Sequence, residues 1–164
     1  MVDYIILTKG FYAIIDEEDF DRIEPYSWHA RVSKTTDTVY ASRSPKMPDG
    51  SYHGTLGMHR QILRVPKGIE VDHIDGNGLN NQKANLRRAT HQQNMQNHKK
   101  AKNNTTGYVG VMWRPKENVW WAGIKVDGKR LHLGTFRDIR LAAEAYNLAA
   151  VEYFGEFARL NEID

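Results

Sequence analysis

Between residues 71 and 94 the chain reads VDHIDGNGLNNQKANLRRATHQQN, in which an adjacent carboxylate and imidazole, Asp72 and His73, are followed by an Asn- and Gly-rich turn and then by Asn94. Together these are the parts of a hydrolytic metal site. A hard divalent ion, magnesium or manganese, takes oxygen ligands and keeps several waters, so one carboxylate and one amide oxygen suffice when phosphate oxygens complete the shell. Asp72 and Asn94 meet that demand. A neutral imidazole beside the ion can take a proton from the attacking water at neutral pH, provided a second hydrogen bond fixes the ring. His73 is the candidate base. The ion would offset charge on the pentavalent phosphorus and on the departing oxygen. The competing reading of the same string is a polar turn. An EF-hand is excluded, because counting from Asp75 the fifth and twelfth positions, which need an oxygen donor and a Glu, are Leu79 and Leu86.

The elements that must hold these residues follow from local patterns. VDHI (71–74) is a short β run, GNGLNNQKA is a loop of residues that tolerate left-handed geometry, and NLRRA (85–89) can return as a second strand. Thr90 followed three residues later by Gln93 matches a capping box, predicting a helix from Thr90 to about Lys100. Asn94, Asn97 and His98 then share one helix face that can look back at Asp72 and His73. Upstream, to residue 57, β-type runs at 4–7, 11–15, 27–32 and 38–44 suggest a small antiparallel sheet. DEEDFDRIEP, with Phe20 and Ile23 three apart and Pro25 as a stop, suits a short helix, and SPKMPDGSYHG suits a hairpin tip. His29 and His53 lie in this part without a carboxylate at ligand spacing, and neither is assigned a role.

Charge separates the two ends of the chain. Residues 1–58 carry 6 Lys and Arg against 9 Asp and Glu, leaving 17 against 11 for residues 59–164, and residues 82–140 alone carry 13 basic against 3 acidic side chains. Such a density points to a polyphosphate partner, with double-stranded DNA first in line. The absence of Cys excludes disulfides and Cys-ligated zinc and is compatible with an intracellular setting. No segment has the length of an apolar membrane span, and MVDYIILTKG has no basic leader, so a soluble protein without a membrane partner is expected.

VDHIDGNGLNNQKANLRRATHQQN closely resembles the HNH endonucleases of bacteriophages, both intron-encoded and freestanding homing enzymes. The resemblance implies a ββα-metal fold in which His73 is the general base, Asp72 and Asn94 hold the divalent ion, and Asn85 is the middle residue of the motif, positioning the loop and the base. Many such nucleases place a final His where this chain has Asn94, which shifts the expectation from zinc or nickel to magnesium or manganese and leaves His98 a second-choice ligand. MHR at 58–60 is also similar to these phage proteins, so His59 and Arg60 are expected to support the site, His59 as a candidate metal ligand, or to touch phosphate. His59 is alternatively expected to pack, and Arg60 and Arg87 are the expected DNA contacts of this unit.

From residue 107, GYVGVMWRPKENVWWAGIKVDGKRLHLGTF reads as three strands with turns at 115–118 and 127–128. Trp120, Ala122, Ile124 and Val126 alternate onto a core face, and Trp121, Gly123 and Lys125 onto an exposed one. A helix from about Asp138 to Phe154 carries an apolar stripe of Ile139, Ala142, Ala143, Tyr146, Ala149, Ala150 and Tyr153, and Gly155 stops it. YVGV, WWAGIK, HLGTF, AAEAYNLAA and ARLN resemble the APETALA/ethylene-response-factor (ERF) DNA-binding domain of plants, which lays its sheet in the major groove. The likeness implies that Arg114, Trp121, Lys125, Arg130, His132 and Thr135 face DNA. Val109, Met112 and Gly123 stand where the plant proteins have Arg, Arg and Glu, so the plant base preference does not carry over.

The sequence therefore predicts an α+β protein: an N-terminal antiparallel β region (1–57), a ββα-metal catalytic unit (58–100), a polar linker (101–107), and a three-stranded antiparallel sheet packed on one helix (108–164) whose tethering raises the local concentration of each module at DNA. The function expected is a divalent-metal-dependent, phage-type DNA endonuclease. The alternatives are a sequence-specific DNA-binding regulator with a vestigial HNH unit, which loss of the Asp-His pair would mark, and a nucleoid-type binder.

Overall fold

The computed structural model describes residues 1–34, 36–52, 54–97, 100 and 104–163, and its contacts divide the chain into two compact units, Met1–Asn94 and Met95–Asp164. The result is a mixed α/β structure of several small antiparallel sheets and few helices.

In the first unit, β1 (Val2–Ile6) and β2 (Tyr12–Asp16) pair antiparallel, from Val2 opposite Asp16 to Ile6 opposite Tyr12. Alternation sends Ile5, Ala13 and Ile15 into the core and leaves Tyr4, Ile6 and Tyr12 exposed. A 3-10 turn at Glu17–Asp19 leads into the four-residue α1 (Phe20–Ile23). β3 (His29–Val32), β4 (Val39–Arg43) and β5 (Leu56–Gly57) make a second sheet in that order. Two sheets thus replace the one expected over residues 1–57. The reason is that the outer edge of β2 is already taken: the Ile14 amide donates to the Leu79 carbonyl at 2.8 Å, and the Asn81 amide donates to the Ile14 carbonyl at 2.7 Å.

α2 (Met58–Leu63) follows, and β6 (Glu70–His73) then pairs antiparallel with β7 (Leu86–Ala89), Asp72 lying opposite Arg87 and His73 opposite Leu86. α3 (His91–Gln96) opens on the capping box read from the sequence. The Gln93 amide donates to Thr90 Oγ1 at 3.2 Å, and the Thr90 amide to Gln93 Oε1 at 2.9 Å. One apolar core, including Ile15, Ile23, Trp28, Ala41, Met58, Ile62, Val71 and Leu86, draws on β1 to β4, α1, α2, β6 and β7. Within it the Trp28 indole N–H is satisfied by the Ile23 carbonyl at 2.9 Å.

In the second unit, β8 (Val111–Arg114), β9 (Val119–Val126) and β10 (Lys129–Phe136) form an antiparallel sheet in the order β10-β9-β8, covered on one face by α4 (Ile139–Phe154). Asp138 caps α4, its carboxylate accepting from the Arg140 amide at 2.8 Å. Ala142, Ala143, Tyr146, Ala149 and Ala150 are buried as the stripe predicts, but Tyr153 is 45% exposed and Phe154 packs inward instead. The correction reflects the helix end, where Gly155 turns the chain with positive φ and the last turn no longer follows the stripe. Asn161 clasps the C-terminal segment to the sheet: its side chain accepts from the Val109 amide, and its amide donates to Asn147, each at 2.7 Å.

Among the described residues no helix is long and apolar enough to cross a membrane.

Candidate functional site

β6 has side chains on two faces. Val71 and His73 point one way, Glu70 and Asp72 the other. On the first face His73 is buried, 5% exposed, with its ring centroid 5.1 Å from that of His59 and 5.9 Å from that of Tyr40. Its Nε2 lies 3.3 Å from the Asn81 amide oxygen. Burial, outweighing Asn81 and the carboxylates of Asp75 and Asp72, pushes the His73 pKa down and favours the neutral ring. His59 is half-buried as a residue, but its Nδ1 is enclosed with no hydrogen-bond partner among the described residues. Burial, then His73 and Arg60, lowers its pKa to about 3.

On the second face Asp72, 5% exposed, accepts on Oδ2 from Arg87 Nε at 2.8 Å and Nη2 at 2.7 Å. Arg87, expected to contact DNA, pairs here with Asp72. Asn94 sits on α3 and donates from Nδ2 to Glu70 Oε2 at 2.5 Å, while His91 Nδ1 lies 2.8 Å from Glu70 Oε1. Asn94 therefore looks at Glu70, two residues from Asp72, rather than at His73. Burial raises the Glu70 pKa, but Asn94, His91 and Arg60 more than offset it, and the net shift is downward.

The loop between β6 and β7 is tied through Asn85. Its amide oxygen accepts from the Asp75 backbone at 3.0 Å, and its Nδ2 donates to Asp75 Oδ1 at 2.9 Å and to the Asn80 carbonyl at 2.8 Å. Asp75 in turn receives the Asn77 amide at 2.7 Å and Asn80 Nδ2 at 2.8 Å. Arg60 donates to the Ile69 and Pro66 carbonyls at 2.5 and 2.9 Å, both bonds exposed, and so braces the segment before β6. His98 and His53 lie outside the described residues. Sequence reasoning missed Asn81 and Glu70, the side chains that touch His73 and Asn94. The signal for Glu70 was its position two before Asp72 on a strand.

On the sheet of the second unit, register puts Arg114, Trp121, Lys125, Arg130, His132 and Thr135 on the face away from α4. Arg130 opposes Lys125, His132 opposes Gly123 and Thr135 opposes Trp121. This face stays continuous because Leu133 is an extra residue between the His132 and Gly134 pairings, a bulge that returns Thr135 to the side of His132. Trp121 departs from expectation. It is only 8% exposed, because His132 stacks on it at 5.5 Å with rings 8° apart and the Arg114 and Arg130 guanidinium carbons sit 5.5 and 5.8 Å from its ring centroid. The lid consists of cations and an imidazole over an aromatic floor.

The sequence pattern of the HNH endonuclease family matches residues 64–96, the stretch that holds His73, Asp72, Asn85 and Asn94. A mimivirus protein of Acanthamoeba polyphaga mimivirus, "Uncharacterized HNH endonuclease L560", is 34% identical over 163 residues, which is 95% of this chain and 78% of that protein. The chain belongs to the HNH endonuclease family. It is accordingly an endonuclease. "Protein 3.8" of Escherichia phage T7 is 36% identical to this HNH endonuclease over 95 residues, 58% of this chain and 78% of that protein. No solved structure matches the chain significantly.

HNH endonucleases generally use divalent metal ions, and the donor chemistry on the second face of β6 suits one. The carboxylate of Asp72 and the amide of Asn94, with the Glu70 carboxylate beside them, are hard oxygen donors. Among the described residues Asp16, Glu18 and Asp19 also bring carboxylate oxygens within 4.8 Å of one another. That group already holds a cation: Lys83 pairs with Glu18 and lies 3.2 Å from Asp19 Oδ2.

Proposed function

We propose that this HNH endonuclease is a magnesium- or manganese-dependent enzyme of the phage homing type that hydrolyses phosphodiester bonds in double-stranded DNA inside the host cell. His73 takes the proton from the attacking water, whose oxygen bonds to phosphorus as the bond to the departing oxygen breaks. Asp72 and Asn94 would hold the ion, which when bound supplies charge neutralisation at the phosphorus and the departing oxygen. Asn85 holds the loop behind the base. Residues 108–164 act as an ERF-type DNA-binding domain, with Arg114, Lys125, Arg130, His132 and Thr135 toward DNA and Trp121 as the floor on which the cations are arranged. The observation that carries this reading is His73 itself: a buried imidazole, its pKa pushed down by that burial, with one nitrogen against the Asn81 amide oxygen, on the same strand as a buried carboxylate.

The test is His73→Ala, with DNA binding measured in calcium and nicking of supercoiled plasmid in magnesium. Affinity should hold while cleavage falls by about 10²-fold or more, the scale for a positioned general base. Excess EDTA should stop the wild-type enzyme. Wild-type cutting by His73→Ala, or undiminished cutting in EDTA, ends the proposal. A second reading, a DNA-binding regulator with a vestigial catalytic unit, draws support from the engagement of Asp72 by Arg87 and of Asn94 by Glu70. Tight binding of a target that wild-type protein never cuts would favour it.

A further inference from the structure

Among the described residues Asn81 is one of the largest side chains to be fully enclosed, and the only polar one of that group. A buried amide must place its oxygen and its nitrogen on opposite kinds of partner. Here the choice is made by the backbone: Asn81 Nδ2 donates to the Leu79 carbonyl at 3.2 Å, which turns Oδ1 toward His73 Nε2 at 3.3 Å. An amide oxygen only accepts, so Nε2 must carry the ring proton and Nδ1 the lone pair. The ring is held in one tautomer.

The N-terminal hairpin holds Asn81 in turn. The Asn81 amide donates to the Ile14 carbonyl at 2.7 Å and the Leu79 carbonyl accepts from the Ile14 amide at 2.8 Å, so one residue of β2 grips the loop on both sides of Asn80. Two residues on, Asp16 accepts the Lys83 amide at 2.7 Å and Gln82 Nε2 at 3.4 Å, and Lys83 reaches the Glu18 and Asp19 carboxylates. Leu79 to Lys83 is thus laid along β2 like an added strand.

We propose that Asn81 is the positioning residue that sets the tautomer and orientation of His73, and that strand β2 is its anchor, making the first 19 residues part of the catalytic apparatus. The inference rests on His73 being the base. Nδ1 is then the atom that accepts the proton from water.

The test uses the full chain, 15N-labelled at histidine, with the His73 signals identified by their loss in His73→Ala. Wild type should show the Nε2–H tautomer at neutral pH. Asn81→Leu keeps the branched shape and removes the acceptor; it should give mixed tautomers and roughly 10-fold or greater loss of plasmid nicking in magnesium, with DNA affinity in calcium changed by less than about 2-fold. Asn81→Asp restores an acceptor and should restore the tautomer and most of the rate. Ile14→Pro removes the N–H that reaches Leu79, and it should shift the tautomer and slow cleavage even if Asn81→Leu fails to fold. Wild-type tautomer and rate in Asn81→Leu, or in Ile14→Pro where the Leu variant does not fold, overturns the proposal, as does Asn81→Asp matching Asn81→Leu in both readouts. Unimpaired cutting by His73→Ala would instead remove the reading beneath it.

Discussion

Arg87 faces Asp72 across the β6–β7 pair, and two of its nitrogens, Nε and Nη2, converge on one carboxylate oxygen, Oδ2, at 2.8 and 2.7 Å. Both side chains are largely buried, 12% and 6% exposed. Each charge is therefore tolerated inside because the other is there.

Removing the cation should strand the carboxylate. Arg87→Met is expected to lower stability by about 3–5 kcal/mol in EDTA, the usual result of breaking one side of a buried pair. Since a divalent ion can replace the lost charge, calcium or magnesium should raise the melting temperature of Arg87→Met more than that of wild type. Equal shifts in the two proteins would show that the ion does not settle at Asp72.

Acid should loosen the His59 pocket. The folded state does not protonate His59 until about pH 3, whereas an unfolded chain does so near its ordinary value of 6.5. Because the folded pKa is depressed, the contribution is complete above that ordinary value and is lost as pH falls from 6.5 toward 3, with a slope of up to about 1.4 kcal/mol per pH unit for one proton. His59→Phe keeps a ring beside His73 and Tyr40 without the titration. Urea midpoints followed between pH 7 and pH 4 should fall more steeply for wild type than for His59→Phe; parallel curves would refute the assignment.

The cation lid of the second unit depends on Gly123. A Cβ there would sit 1.9 Å from Cη2 of Trp121, so Gly123→Ala must push the indole off the sheet and away from His132. A loss of about 1–3 kcal/mol is expected from such overpacking, together with weaker DNA binding. Unchanged denaturation and unchanged affinity would mean the indole has another resting place.

Arg114→Ala and Arg130→Ala separate base reading from phosphate contact. A lost base contact should weaken the preferred site by roughly 1–3 kcal/mol relative to other sequences. A lost phosphate contact should weaken all sequences alike and make the salt dependence shallower. If affinity is unmoved in both variants, the sheet face is not where DNA lies.

How much of this was legible beforehand depended on the range of the interaction. The Thr90–Gln93 capping box spans three residues and could be read letter by letter, as could the alternation that sends Ala122 and Ile124 inward and Lys125 outward. Asn81 could not, since its meaning comes from Ile14, far away in the chain, and from which of two amide atoms a carbonyl selects. Composition counts charges without pairing them, so the partner of Arg87 could not be read either; only the register of β6 and β7 sets it opposite Asp72. Trp121 was placed on the correct face, but its cover comes from β8 and β10, and no single-strand pattern shows that.

The extra residue at Leu133 gives β10 a parity. Pairing runs His132 with Gly123 and then Gly134 with Ala122, so everything after the bulge is displaced by one. Pairing without the bulge would bring Leu133 opposite Ala122 and turn Thr135 toward α4 and Phe136 toward solvent, inverting the end of the strand while leaving its start untouched, whereas deletion of Leu133 itself leaves Gly134 opposite Ala122 and keeps Thr135 on the side of His132. The bulge is therefore the place where β10 can lose one residue without exchanging its faces. A related sheet one residue shorter here keeps the same inside and outside, so length drift among such sheets should collect at this position.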